Sequence, residues 1–161
     1  MILRFAALLT VAVGSILLGK QKGDRLYKQL NNQQGMIMMV ETIKRNIFCY
    51  RMPIGEILNG FSKDVFEDEQ ILIDMIKLGP EQGYKVHNLK FGYDAYTDQK
   101  IFNFFRKLGS LGVSEQMSAC EDLLSGLIRY CDSQRNDFPR LRKLYLTLGV
   151  AFGLGVVILF I

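Results

Sequence analysis

His87 is the single histidine of the chain, so a Ser-His-Asp or Cys-His system would have to be built around it. It sits in a stretch, 81–94, without clear periodicity, where a lone imidazole is ordinarily structural or solvated. The three cysteines, Cys49, Cys120 and Cys131, are an odd number with no C-x-x-C pair. With one histidine they offer no metal-ligand spacing, and they fit buried apolar roles in a reducing compartment. Cys120 and Cys131 stand eleven residues apart. On one helix that is three turns along a single face, about 16 Å, beyond the reach of a disulfide. No glycine-rich phosphate loop followed by Lys-Ser or Lys-Thr occurs. No catalytic residue, metal ligand or cofactor is therefore assigned, and the chain reads as a binder of partners rather than an enzyme.

Charge is the more informative signal. Residues 20–51 carry seven basic and two acidic side chains, whereas 56–81 carry seven acidic and two basic ones. The basic block lies beside an apolar strip, where cations favour anionic lipid headgroups, so membrane lipid is an expected partner and nucleic acid is not. In the acidic block Glu67, Asp74 and Glu81 recur at heptad spacing, with Asp68 beside them. That spacing predicts one polar stripe on a helix, opposite Phe66, Ile73 and Ile76. Such a stripe is either a solvated face with acids favourably near a helix start, or a docking patch for a basic protein surface.

Two apolar strips bracket the charged middle. Residues 2–19 hold only Arg4 as a charge, and 144–161 hold none. The first lacks a small-x-small cleavage pattern before Lys20, which favours a retained anchor over a signal peptide. The second, at about 1.5 Å per residue, just reaches across a thin bilayer. Lys20, Lys22, Arg25 and Lys28 follow the first strip, and Arg140, Arg142 and Lys143 precede the second. By the positive-inside rule the middle is cytoplasmic and both termini face the other side of the cell membrane. The expected organisation is an anchor at 1–19, a domain at 20–143 and an anchor at 144–161. Gly149 and Gly153 are four apart, as are Ala151 and Gly155, and Gly14 lies in the first strip. These are the candidate small residues for close helix contact in the membrane.

Between the strips the pattern is helical. Leu26, Leu30, Ile37, Val40, Ile43, Ile47 and Tyr50 recur at steps of three and four. Pro53 ends that helix and suits the first turn of a short one over 54–61. Asp64 with Glu67 resembles a capping box opening a third helix to Leu78, where Gly79-Pro80 stops it. Residues 81–94 fit a strand or a broken helix, with helix favoured by the neighbours. A further helix over 98–108 turns Ile101, Phe102, Phe104, Phe105 and Leu108 inward. From Ser114, the positions Met117, Cys120, Leu124, Leu127, Cys131, Phe138, Leu141, Tyr145 and Leu148 keep one helical face into the second strip, with Pro139 expected to kink it. The fold class is all-α: an antiparallel bundle of about six helices flanked by an N-terminal and a C-terminal transmembrane helix.

This order of parts resembles the stage III sporulation protein AB family along essentially the whole chain. The resemblance rests on VETIKRNIFCYRMPIGEI at 40–57, similar to the family's helix and Pro-Leu-x-Glu turn. It rests also on LGSLGVS at 108–114, like its doubled Leu-Gly followed by Ser, and most specifically on KLYLTLGVAFGLGVVILFI at 143–161. The sequence departs from the family pattern after Ser114, where Glu115 and Ala119 stand in place of Asp and Gln, and it lacks the usual Ala-Trp within 81–96. The family's central domain is similar to the helical F domain of type II secretion and type IV pilus platform proteins. The resemblance thus implies a non-catalytic platform subunit of a secretion-like channel between mother cell and forespore. It also implies a sporulation ATPase, the AA protein of the same operon, and other channel subunits as partners. Glu67, Asp68, Asp74 and Glu81 would form the partner surface. Self-association is allowed without being required. The alternatives are a general secretion or pilus platform fragment, or a small membrane-bound signalling adaptor.

Overall fold

The computed structural model describes residues 2–160, with side chains described continuously over 17–135. Among the described residues six α-helices follow in order: α1 (Ile2–Tyr50), α2 (Ile54–Asn59), α3 (Glu69–Leu78), α4 (Pro80–His87), α5 (Ala95–Lys107) and α6 (Val113–Phe160). Short 3-10 turns lie at Lys63–Val65 and Asn88–Lys90, and no strand occurs among the described residues. The fold class is all-α. The chain divides into two compact units, Lys28–Ser133 and a second formed by the residues before and after it.

The core of the unit 28–133 draws on every helix. From α1 it takes Met36, Met39, Val40, Ile43 and Ile47, spaced so that one stripe is buried. Ile57 and Leu58 come from α2, and Ile71, Leu72 and Met75 from α3. Tyr84, Phe91, Ile101, Phe105, Cys120, Leu123 and Leu127 belong to it as well. The buried stripe of α1 keeps Val40, Ile43 and Ile47 as expected, but Ile37 is only partly buried and Tyr50 is 69% exposed. The unbranched methionines at 36 and 39 fill the centre instead, because their flexible thioethers conform to an irregular neighbourhood. Of the residues expected opposite the acids, Phe66 is buried, Ile73 is half-buried and Ile76 lies outside the core, where α3 places Ile71, Leu72 and Met75 instead.

Helix starts follow the side chains that cap them. Asp68, not Asp64, caps α3 by accepting from the Gln70 backbone N–H at 3.0 Å. The proposed capping box is thereby displaced, and Asp64 falls in the preceding 3-10 turn. Asp94 caps α5 by accepting from the Thr97 N–H at 2.9 Å, which moves its start three residues ahead of position 98. Gly79, at φ 88°, adopts a conformation closed to most L-residues and separates α3 from α4, whose first residue is Pro80. The chain beyond α4 is held by α1 rather than by its own pattern. The amides of Gln29, Asn32 and Gln33 donate to the carbonyls of Leu89, Lys90 and Phe91 at 3.4, 3.1 and 2.7 Å.

Of the expected membrane anchors, 1–19 and 144–161, a large part falls on side chains outside those described. Among the described residues no helix is long and apolar enough to cross a membrane. Pro139 lies inside α6, which continues past it to Phe160.

Candidate partner surface

The four acids selected from the sequence do not share one helix. Glu67 precedes α3, Asp68 is its cap, Asp74 lies within it, and Glu81 belongs to the first turn of α4. The heptad spacing fails as a stripe because Gly79 breaks the helix between Asp74 and Glu81.

Three of the four are engaged by neighbours. A carboxylate oxygen of Glu67 accepts from the Asn31 amide at 2.5 Å, while its backbone N–H donates to Asn32 Oδ1 at 3.0 Å. Asp68 pairs with Lys90 at 2.6 Å. That ammonium, aided by the Gln70 N–H, holds the Asp68 carboxyl below the usual range. Asp74 accepts from Gln70 Nε2 at 2.7 Å and meets His87 Nε2 at 2.7 Å. The imidazole contact, followed by the Gln70 bond, lowers its pKa. Glu81 is half-buried, and its side chain makes no hydrogen bond or ion pair among the described residues. Glu67 and Glu81 are thus the acids with capacity left for a partner. Asp68 and Asp74 tie the acidic block to Lys90 and His87.

Nothing in the local sequence pattern signals the His87–Asp74 pair, because thirteen residues and a helix break separate its members. Nor does it signal the bond that the hydroxyl of Tyr84, buried in the core, donates to Asp98 at 2.5 Å. Burial raises the Asp98 carboxyl, and it pushes the thiols of Cys120 and Cys131 up to about 11. Thiols so shifted are poor nucleophiles near neutral pH. Among the described residues no three His, Cys, Asp or Glu side chains gather as metal ligands.

Within the unit formed by the chain ends, the close contact is made by Gly19 rather than Gly14. A Cβ on Gly19 would stand 2.8 Å from the Tyr145 carbonyl oxygen and 3.6 Å from Gly149 Cα. At Gly14 and at Gly155 it would meet nothing within 4 Å. Gly153 is buried. The same unit exposes Leu17, Leu18, Leu144, Leu148, Phe152 and Ile158, each more than half accessible.

No family model, curated protein or solved structure matches the chain.

Proposed function

We propose that the protein is a non-catalytic platform subunit, anchored in the cell membrane by both chain ends, that presents a helical domain to partner proteins. The observation that carries this reading is the exposed apolar surface of the end unit, with Leu18 at 65%, Phe152 at 67% and Ile158 at 76%. Large apolar side chains exposed together on one unit mark a surface covered by lipid or protein. Cations flank it at Lys20, Lys22, Arg25, Arg140 and Lys143, as expected where a helix leaves a bilayer on the cytoplasmic side. The approach of Gly19 to Tyr145 and Gly149 supports pairing of the two ends, since small residues let membrane helices touch backbone to backbone.

On this reading the finer architecture is a helical bundle with a transmembrane helix at each end. The resemblance to the stage III sporulation protein AB family supplies the setting: a channel between mother cell and forespore with a sporulation ATPase at its cytoplasmic face. The anchors hold the bundle at the membrane, basic side chains rest on anionic headgroups, and Glu67 and Glu81 meet a basic surface of the ATPase. Force and turnover belong to that ATPase; the contribution of this chain is position. Carbonate extraction and reporter fusions at each terminus test the anchoring. Retention in the membrane with both reporters outside the cytoplasm is the expected result; release by carbonate, or a cytoplasmic C-terminus, overturns it.

A further inference from the structure

Between α5 and α6 the surface opens into a groove that the acidic residues do not touch. Phe104, Leu108, Leu111 and Leu123 give it an apolar floor around a hollow of about 410 Å³. A second hollow of about 420 Å³, bordered by Tyr96, Leu127 and Tyr130, shares Lys100, Leu123 and Arg129 with the first. From Tyr96 to Lys107, α5 advances about 16 Å, the length of three helical turns.

The rim is basic. Lys100 and Lys107 lie two turns apart on α5, Arg129 comes from α6, and Asp122 is the one acid among the lining residues. None of the three cations has a carboxylate partner among the described residues. Lys100 sits 4.7 Å from the centre of the Tyr96 ring, and Arg129 donates to the Ser125 carbonyl at 3.3 Å. Gly126 borders the second hollow, and a Cβ there would meet nothing within 4 Å. Nothing inside the described molecule requires the missing side chain, although glycine weakens a helix interior.

We propose that this groove docks an acidic amphipathic helix of a partner protein. Its apolar stripe lies on the half-buried Leu108 and Leu111, over the edges of the buried Phe104 and Leu123; its carboxylates reach Lys100, Lys107 and Arg129, and its backbone passes over Gly126. A helix laid in an apolar groove with flanking charge pairs is a recurrent mode of recognition. The sign of the rim selects an acidic occupant and rejects a basic one. A second copy of this chain is a poor occupant: the apolar residues of its own acidic helix, Ile71, Leu72 and Met75, are already buried in its core. A flat bilayer does not enter a concave seam between helices.

The test uses the full-length chain and a fluorescent designed peptide of three to four helical turns, with Leu on one stripe and Glu elsewhere. A scrambled peptide of the same composition, without the stripe, is the control. Saturable binding is expected from the designed peptide, about tenfold weaker with the scramble, by fluorescence anisotropy. Two variants should each weaken it about tenfold or more: the triple reversal Lys100→Glu, Lys107→Glu, Arg129→Glu, and Gly126→Leu. Gly126→Leu fills the hollow while improving helix propensity, so a loss there with unchanged circular dichroism is a loss of docking. Equal binding of the scramble, or indifference to both variants, overturns the proposal. So does sedimentation showing that the wild-type chain self-associates and that the triple reversal makes it monomeric, since the groove would then be filled by a second copy.

Discussion

His87 Nε2 lies 2.7 Å from Asp74 Oδ2, linking α4 to α3 through an imidazole that is 7% exposed. The contact gives stability a defined acid dependence. Asp74 titrates below its ordinary 3.8 in the folded chain, chiefly because of the His87 bond. Its contribution is therefore present above the unfolded value and lost as pH falls through the lower folded one. Asp68 and Asp94 shift in the same direction, while Asp98, raised by burial, acts against them. Urea midpoints followed by circular dichroism should fall as pH drops below about 4. Asp74→Asn should lower the midpoint at pH 7 and flatten that acid loss. An unchanged acid limb in the variant would remove Asp74 from the account.

Two glycines in helices should respond to alanine with opposite sign. A Cβ at Gly83 would stand 2.4 Å from the Met75 backbone N and Cα, which cannot move without parting α3 from α4. Gly83→Ala should cost about 1–3 kcal/mol despite the better helix propensity of alanine. At Gly126 a Cβ meets nothing within 4 Å, and Gly126→Ala should stabilise by about 0.5–1 kcal/mol. Chemical denaturation of both variants reads the difference directly.

How far the sequence carried depends on the distance over which each element is specified. The core positions of α5 and α6, among them Ile101, Phe104, Cys120, Leu124 and Leu127, follow from local spacing and are buried. The beginning of α3 was misread because Asp64–Glu67 and Asp68–Gln70 both carry capping chemistry, and only the fold selects the second. The chain after α4 is illegible locally for a physical reason. Its carbonyls at 89–91 are satisfied by Gln29, Asn32 and Gln33, about sixty residues earlier, so no neighbouring residue encodes its path. The same non-locality hid the His87–Asp74 pair, whereas the acidic stripe is divided by the local break at Gly79-Pro80.

The hydroxyl of Tyr93 is buried without a hydrogen-bond partner among the described residues, although its ring stacks on Phe91 with centroids 6.0 Å apart. A buried unsatisfied donor costs about 1–3 kcal/mol. Tyr93→Phe keeps the ring and removes the orphan, so it should leave stability unchanged or raise it by up to about that amount. A clear loss, measured by thermal unfolding, would mean that the hydroxyl has a partner in solution.

The partner surface yields the sharpest functional test, because the structure separates acids that serve the fold from acids that remain available. Asp74→Lys places an ammonium against His87 and Lys77 and should lower the melting temperature. Glu81→Lys touches no hydrogen bond or ion pair among the described residues, and Glu67→Lys removes one exposed bond to Asn31. Glu67 is exposed and the half-buried Glu81 has no side-chain partner to lose; charges of that kind contribute little to folding, so the double variant of Glu67 and Glu81 should keep its helicity and melt close to wild type. If these acids meet a basic face of a sporulation ATPase, the same double variant should bind that ATPase more weakly. The wild-type interaction should fade with salt, since screening acts over about 10 Å at 0.1 M. On the proposed function, sporulation would then stall although the domain folds normally. Undiminished binding by the double variant, or binding indifferent to salt, would leave Glu67 and Glu81 as solvated residues and direct the search for the partner elsewhere on the bundle.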